Sequence, residues 1–390
     1  MSDTKLFIYS TMLITAGVLM SYSLSTYPTI LYHYDALHFF SREFGTAIIG
    51  VLLMWILSYV DMDKVFSPIG IFFGVFFGFI MCIIVFLPES IAPSIGGAKR
   101  WIKIPLFPIA LAPVEFFKIG FIWLLAWSFA RKYDAGSKRS ILNEVCILLP
   151  HAFVFVVSFV VIAFIQNDLG QAVLLALIMA TLILLSGGSF RIIFMALFLG
   201  GGIAIVSIIY RPHRLNRIKS WWSGAQDLIL SLIPDKLANY LRMDNIPEPY
   251  QVLNATHAIQ NGGFSGQGIG NGVVKLGFLS DVHTDMVLAG LTEEVGLLGL
   301  GICMFVFFLV LLRIFKIANR MERGAHFLFC MGVGVMLGYS LIINALGVSG
   351  IIPLKGIAVP FLTYGGSSLL ANCIAIGLVL ALSKKAKHLY

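Results

Sequence analysis

The sequence predicts an all-α protein that crosses a membrane about ten times. Hydrophobic residues make up 59% of the 390-residue chain and charged residues only 12%, whereas soluble domains carry about 25% charged residues. A globule of this size cannot bury so much apolar surface. The apolar residues also fall into separate runs of about 20, the length at which an α-helix crosses a hydrocarbon core. We therefore expect a single membrane domain over residues 1–390, with membrane lipids around it and no nucleic-acid partner.

Ten apolar runs are long enough to form transmembrane helices. They cover residues 6–27, 43–60, 67–87, 113–130, 144–165, 169–186, 190–210, 284–312, 326–346 and 367–383. Because ten is an even number, both chain termini lie on the same side of the membrane. The connections on that side carry fourteen lysines and arginines, against five in the short connections on the other side. The positive-inside rule therefore predicts cytoplasmic termini.

The connection 211–282, between the seventh and eighth spans, is then a long loop on the outer face. It carries seven lysines and arginines, which contact either lipid headgroups or an anionic substrate in the outer leaflet. Within it, the stretch 226–243 has apolar residues at helical spacing and follows Trp221 and Trp222. This pattern is typical of a helix that lies in the membrane interface.

Ionisable residues at membrane depth are costly, so each one is a candidate site residue. Glu115 and Lys118 share one face of the fourth span at i, i+3 spacing. They either form a structural ion pair, or Lys118 reaches a phosphate. Asp168 directly precedes the sixth span, where it either caps the helix or faces a site at the outer surface.

The stretch 250–296 is the richest in polar residues. Its six glycines between 262 and 272 follow no strand, which disfavours a nucleotide-binding loop, and we expect them to let an outer loop fold back tightly. Three polar residues stand at the start of the eighth span and a fourth lies about 12 Å deeper: His283, Thr284, Asp285 and Glu293. A lone histidine is more often structural than a metal ligand, and zinc-type spacing is absent from the sequence.

The segment 350–368 interrupts the apolar pattern before the tenth span. Pro353 and Pro360 break any helix there, and Ser367 can cap the helix that follows. Non-helical backbone at membrane level must line a cavity within the protein. Lys355 in this segment is therefore expected to need an anion.

Four motifs in this order resemble those of the SEDS family, the shape, elongation, division and sporulation proteins. They are GGAKRWI with PVEFFK in 96–118, QNDLG in 166–170, the glycine-rich run with HTD in 250–296, and PLKG with PFLTYGGSS in 353–368. The resemblance covers nearly the whole chain. It implies a glycosyltransferase that polymerises lipid II into peptidoglycan strands on the outer face of the bacterial cytoplasmic membrane. It also implies a class B penicillin-binding protein as partner.

The resemblance maps the essential acidic residue of the family, in the motif HTD, onto Asp285. Division members of the family carry lysine where elongation members carry threonine in the PLKG motif. Lys355 therefore favours a division protein, at the septum with divisome partners, over an elongation polymerase. The chain departs from the family pattern at Asn167, at Thr363 and just before His283, but none of these changes removes a charged group. The outer loop is also longer than the family leads us to expect, which leaves its shape and its partner contacts open.

These residues support a mechanism in which a sugar hydroxyl attacks an anomeric carbon and expels undecaprenyl pyrophosphate. Asp285 is the candidate general base, and cations are expected to face the pyrophosphate: Arg100, Lys99, Lys118, Lys355 and Arg214. The other candidate substrate-binding residues are Trp101, Glu115, Asp168, His283, Thr284, Glu293 and Ser367. The substrates are lipid II and the undecaprenyl-linked glycan chain. A requirement for Mg²⁺ or Mn²⁺ stays open because the sequence has no dedicated ligand set.

Two other classes of protein remain open on the sequence. A transporter or lipid II flippase would line a path across both leaflets with polar residues. Glu293, deep in the eighth span, keeps this alternative open. A scaffold that only recruits a transpeptidase needs no buried carboxylate beside a basic groove. The concentration of charge in the outer half of the protein favours the enzyme. We expect its partner to contact spans eight and nine and the loop 211–282.

Overall fold

The computed structural model describes residues 3–66, 68–95, 97–103, 110–132, 141–209, 212–231, 233–243, 250–353 and 356–386. Helices occupy the positions of all ten predicted spans. They are α1 (Thr4–Leu24), α3 (His38–Leu57), α5 (Pro68–Ile83), α6 (Pro113–Lys132), α7 (Ile141–Val160), α8 (Leu169–Leu185), α9 (Phe190–Ile209), α13 (Val287–Ala318), α14 (Gly324–Val348) and α15 (Gly366–Ser383).

Among the described residues, seven helices are long and apolar enough to cross a membrane, and α5 and α8 contain shorter apolar helices. These seven helices are α1, α3, α6, α7 with the turn that extends it to Ile165, α13, α14 and α15. The all-α, multi-pass architecture predicted from the sequence is confirmed. The count of ten crossings and the outer position of the long loop stay predictions.

Shorter elements connect these helices. They are α2 (Thr26–Leu31), α4 (Met62–Val65), a π-helical turn (Val161–Ile165), α10 (Pro212–Leu230), α11 (Asp235–Leu241) and α12 (Tyr250–Gly262). Two antiparallel hairpins pair β1 (Ser94–Ile95) with β2 (Ala98–Lys99) and β3 (Ile102–Lys103) with β4 (Ala110–Leu111). Such two-residue strands are too short to show an alternating sequence pattern, so the sequence did not predict them.

The predicted interfacial helix over 226–243 is two helices in the structure. The first, α10, ends at Leu230, and α11 begins at Asp235 directly after Pro234. Proline has no backbone N–H to continue a helix from the preceding turns, which accounts for the break. That these helices lie in the membrane interface stays a prediction.

The bundle is held together by a few tight helix pairs. The helix α3 packs on α15, α5 on α6, α1 on α13, and α14 on both α6 and α8. The α5–α6 contact is close because glycines face each other: a Cβ added to Gly120 would lie 2.3 Å from the Cα of Gly74. Small residues at a membrane helix contact let the two backbones approach.

The glycine-rich loop folds back onto the first turns of α13, as the sequence predicted. The backbone N–H groups of Leu297 and Leu298 donate to the carbonyls of Gly263 and Phe264 at 3.0 and 3.1 Å. The helix α13 is broken at Gly296, whose φ is 70°. A side chain is excluded there because an added Cβ would lie 2.4 Å from backbone atoms of the loop.

A buried ion pair fastens the same loop to α1 and α13. The Nζ of Lys275 lies 2.6 Å from Oε1 of Glu294 and donates to Oγ of Ser23 at 2.9 Å. Lys275 is 2% exposed and Glu294 is 1% exposed. Three segments far apart in the chain therefore meet at one buried charge pair.

Candidate active site

Asp285 lies in the turn before α13, where two cavities meet. The small cavity has a volume of about 150 Å³ and the large cavity about 530 Å³. Five residues line both: Arg100, Asp168, Asp281, Asp285 and Gly356. A group bound in either cavity is therefore within reach of the same carboxylate.

The turn that carries Asp285 is fixed by neighbouring backbone and by one buried amide. The Nδ2 of Asn344, on α14, donates to the carbonyls of Asp285 and Ile357, both at 2.8 Å. The segment 357–364 adds two bonds, since Tyr364 N–H donates to the His283 carbonyl and the Thr363 hydroxyl to the Thr284 carbonyl, at 2.9 and 3.1 Å. These contacts position the acidic residue before any substrate binds.

A glycine leaves room for the carboxylate of Asp285. A Cβ added to Gly356 would lie 2.7 Å from Oδ2 of Asp285, closer than a carbon and an oxygen approach without bonding. Any larger residue at position 356 would displace the acidic side chain. The close approach of the Asp285 carboxylate therefore explains why the PLKG motif has glycine at this position.

Burial within the protein raises the pKa of Asp285 to about 6. The negative charges of Asp281 and Asp168 act in the same direction, whereas Arg217 and Arg100 oppose the rise. Burial also raises the pKa of Asp168, and it lowers the pKa of His283. At pH 7 Asp285 is therefore mostly ionised and close to the pKa that suits a general base.

Three arginines line the small cavity: Arg100, Arg214 and Arg217. The turn that contains QNDLG positions two of them. Arg100 donates to the carbonyls of Gln166 and Asn167 at 2.6 and 2.9 Å, and it lies 3.9 Å from the Asp168 carboxylate. Arg214 donates to the carbonyl of Ala163 and to Oδ1 of Asn167. Asp168 also caps α8 by accepting the Gln171 N–H at 3.1 Å, so the capping alternative is confirmed.

Several predicted residues line the large cavity: Trp101, Glu115, His283, Thr284 and Ser367. The ion pair expected of Glu115 and Lys118 is present, with 2.9 Å between Nζ and Oε2, and both residues are buried. Ser367 joins α15 to the second hairpin, because its hydroxyl donates to the Ala110 carbonyl and accepts the Ala112 N–H.

Three predicted substrate-binding residues that the structure describes line neither the small nor the large cavity: Lys118, Lys99 and Glu293. Lys118 is held by Glu115, and Lys99 donates to the carbonyls of Val85 and Leu87 after α5. Glu293 accepts hydrogen bonds from the Asn261 side chain and from two backbone N–H groups of the glycine-rich loop, each at 2.9 Å. Each of these three side chains therefore has partners within the protein, and a role for them in substrate binding stays a prediction. Lys355 lies outside the described residues.

Four residues of the site were missing from the sequence prediction. Arg217 lines the small cavity, Arg42 and Glu43 of α3 line the large cavity, and Asn344 holds the Asp285 turn. The sequence did contain a signal for Glu43, because it is an ionisable residue at the start of a predicted span. It contained none for Asn344, whose partners are backbone carbonyls.

In the part of the chain that the structure describes, no group of three or more His, Cys, Asp or Glu side chains is placed to hold a metal ion. Asp168, Asp281 and Asp285 share the small cavity without forming such a group. The requirement for Mg²⁺ or Mn²⁺ stays a prediction.

Comparison with known proteins gives consistent matches along the whole chain. The profile of the FtsW/RodA/SpoVE family, described as "Cell cycle protein", matches residues 4–388. A protein of Helicobacter pylori strain J99 named "Probable peptidoglycan glycosyltransferase FtsW" is 51% identical over 388 residues, which cover 99% of each chain. A protein of the same name from Coxiella burnetii is 30% identical over 392 residues, covering 99% of this chain and 97% of that one.

Solved structures share the fold at lower sequence identity. A chain of a peptidoglycan synthase complex that coordinates polymerization and crosslinking superposes with a TM-score of 0.71 at 21% identity, covering 98% of both chains. The rod shape-determining protein RodA of Thermus thermophilus superposes with a TM-score of 0.65 at 20% identity, covering 99% of this chain and 98% of that chain.

Proposed function

The chain belongs to the FtsW/RodA/SpoVE family of cell cycle proteins, and on that premise we propose that it polymerises lipid II into glycan strands at the outer face of the cytoplasmic membrane. It is a multi-pass membrane enzyme, a peptidoglycan glycosyltransferase like the relatives whose names state that activity. The observation that carries the proposal is the placement of Asp285, a carboxylate with a pKa of about 6 where an arginine-lined cavity meets a larger polar one.

In the reaction, a sugar hydroxyl of lipid II attacks the anomeric carbon of the undecaprenyl-linked glycan chain. The new bond joins that oxygen to the anomeric carbon, and the bond from the anomeric carbon to the pyrophosphate oxygen breaks. Asp285 takes the proton of the attacking hydroxyl. A positioned general base of this kind contributes about 10²- to 10⁴-fold to the rate.

The leaving undecaprenyl pyrophosphate gains negative charge, and the small cavity faces it with guanidinium groups. Arg100, Arg214 and Arg217 line that cavity. Arginine suits phosphate oxygens because its planar fork can donate two parallel hydrogen bonds. Fixed cations aimed at the developing charge lower the barrier without reorganising during the reaction.

The division role is supported by the names of the relatives, which are FtsW at both 51% and 30% identity. Lys355 in the PLKG motif favours the same assignment over an elongation polymerase. We place the protein in the bacterial inner membrane at the division septum, together with divisome proteins. A class B penicillin-binding protein is its proposed partner, supported by the structural likeness to a chain of a peptidoglycan synthase complex. The proposed contact surface comprises α13, α14 and the loop 211–282.

The transporter alternative has lost its main support. It depended on Glu293 as a deep polar residue on a path across the membrane. In the structure this carboxylate is occupied by Asn261 and by the backbone of the glycine-rich loop. A scaffold would not account for a carboxylate with a raised pKa beside three arginines.

The proposal is tested by polymerisation of purified lipid II in detergent, with the protein co-purified with its transpeptidase. Wild type is compared with Asp285→Asn, which keeps the size of the side chain but removes the base. We expect glycan ladders from wild type and a loss of about 10²-fold or more in the variant. Glu144→Gln is the matched control, because Glu144 is buried but bonds Ser189 away from both cavities.

Two outcomes would overturn the assignment. Equal ladders from wild type and Asp285→Asn, with both proteins folded, would show that Asp285 is not the general base. Asp168 would then be the next candidate. No ladders from an intact wild-type complex would contradict the polymerase itself. Lipid II translocation in vesicles would then decide for the transporter. Adding EDTA and then Mg²⁺ or Mn²⁺ to the same reaction tests the cation requirement.

A further inference from the structure

Glu43 is a buried acidic residue for which the mechanism has no use so far. It lies in the second turn of α3 and is 3% exposed. Its Oε2 accepts a single long hydrogen bond of 3.3 Å from the Gly365 N–H. Within the described part of the chain, no lysine, arginine or histidine forms an ion pair with it. A carboxylate in such surroundings is costly unless something donates hydrogen bonds to it.

The face of α3 that carries Glu43 is turned toward the reacting carboxylate. Phe39 stands one turn before Glu43 on the same face of the helix. Its ring packs at 5.4 Å from the imidazole of His283 and at 5.2 Å from the ring of Tyr364. Glu43 lines the large cavity together with His283, Thr284 and Asp285. It therefore faces the space from which a nucleophile reaches Asp285.

His283, which lines the same cavity, has a polar atom without a partner in the part of the chain that the structure describes. Nδ1 of His283 is buried and has no hydrogen bond among the described residues, which is uncommon for a buried polar atom. Burial lowers the pKa of His283, so the ring is neutral at pH 7 and offers one donor and one acceptor. Two neighbouring polar groups are thus left for a ligand that carries several hydrogen-bonding groups.

The position of the cavity selects among such ligands. Glu43 and Asp285 line the same cavity, and the sugars are the part of lipid II that must lie beside Asp285 for the reaction to occur. A sugar hydroxyl or an acetamido N–H can donate a hydrogen bond to a carboxyl oxygen.

We infer that Glu43 is a substrate-binding residue, whose carboxylate accepts a hydrogen bond from a sugar hydroxyl or acetamido N–H of the lipid II headgroup in the large cavity. This inference rests on the proposed function and deepens it. It assigns the saccharide to the large cavity, while the arginines of the small cavity hold the pyrophosphate. Binding, and not the chemical step, is what Glu43 supplies.

The test measures two quantities for wild type, Glu43→Ala, Glu43→Gln and Glu144→Gln in the co-purified complex. The first is the dissociation constant of fluorescent lipid II in detergent, which needs no turnover. The second is the initial polymerisation rate as a function of lipid II concentration. Removing one partner of a buried hydrogen bond leaves the other partner unsatisfied, so we expect Glu43→Ala to raise the dissociation constant and the half-saturating concentration about tenfold. The rate at saturation should stay within about twofold of wild type.

The conservative variant separates binding from folding. Glu43→Gln keeps an oxygen for the Gly365 N–H and for the sugar but replaces the second oxygen by an amide NH₂, so we expect a smaller rise in both quantities. Glu144→Gln removes a buried charge outside the cavities and should match wild type. A Glu43→Ala protein that fails to fold leaves the comparison to Glu43→Gln, which has nearly the shape of the native residue.

Lipid II with the stem peptide shortened to two residues identifies the donor. If the penalty of Glu43→Ala persists on this substrate, the donor is on the sugars, as inferred. If the penalty disappears, the peptide is the ligand and the inference is wrong. Unchanged binding in both Glu43 variants would also overturn it. A wild type that binds lipid II without polymerising it would contradict the proposed function, while the binding constants would still decide the role of Glu43.

Discussion

Acidification should stop polymerisation well above the pH at which an ordinary aspartate is protonated. The general base must be ionised to accept a proton, and burial raises the pKa of Asp285 from 3.8 to about 6. With that pKa, about nine-tenths of the molecules carry the ionised base at pH 7 and about one-tenth at pH 5. The rate should therefore fall about tenfold between these two pH values. An aspartate of ordinary pKa would lose little over the same range.

Two variants should move this midpoint in opposite directions. The charge of Asp281 raises the pKa of Asp285 and that of Arg217 lowers it. Asp281→Asn should therefore shift the midpoint to lower pH, and Arg217→Ala should shift it to higher pH. Asparagine suits position 281, because the backbone there has a φ of 54°, which asparagine tolerates. Asp227→Asn is the control, since Asp227 pairs with Arg242 outside both cavities.

The assay is the initial rate of lipid II polymerisation between pH 4.5 and about 8, with thermal unfolding recorded at each pH. Titration of the pyrophosphate of lipid II would affect the pH–rate profile of every variant in the same way. The difference in midpoint between variants therefore reports on Asp285. A midpoint near 4, or equal midpoints in Asp281→Asn and Arg217→Ala, would refute the assignment of the base and of its neighbours.

Two further predictions concern the fold around the glycine-rich loop. Lys275→Met leaves the Glu294 carboxylate buried without its cation, so the free energy of unfolding should fall by about 3–5 kcal/mol. The double variant Lys275→Met/Glu294→Leu should recover much of it, and equal melting temperatures for single and double variants in detergent would contradict this account. Gly296→Ala should lower the melting temperature because its Cβ would collide with the loop backbone at a φ of 70°. Gly301→Ala, where an added Cβ meets no atom within 4 Å, should leave the melting temperature unchanged or slightly higher.

The membrane spans were predictable because a lipid environment restricts the chain to continuous helices of nearly fixed length. Each predicted run coincides with a helix, and the ends differ by a few residues. Pro234 was visible in the sequence as a helix breaker. The apolar residues at helical spacing on both sides of it nevertheless led to the prediction of one continuous helix. The short hairpins could not be predicted, because their pairing depends on neighbours and not on a local pattern.

The site was predictable only in part, because a residue type states its charge and not its partner. Asp285 and Arg100 were selected through motifs and Arg214 through the basic residues of the long loop, and all three line the small cavity. Lys99 and Glu293 met the same criteria, but backbone carbonyls and N–H groups occupy them in the structure. Every chain carries such backbone groups, so the sequence does not show which side chains they engage. Glu43 carried a signal as an ionisable residue at the start of a predicted span, but the sequence does not show that Gly365, more than 300 residues away, lies beside it.

That separation has a consequence for how the enzyme is made. Part of the lining of the large cavity comes from α3, and another part comes from residues 356–368. At a synthesis rate of about 5–20 residues per second, the second part follows the first by about 15–60 s. During that interval Glu43 lacks the Gly365 N–H, which is its hydrogen-bond partner in the finished fold. A nascent chain that ends before residue 356 therefore lacks both this part of the cavity lining and the helix α15, so we expect that it cannot begin a glycan strand before its translation is nearly complete.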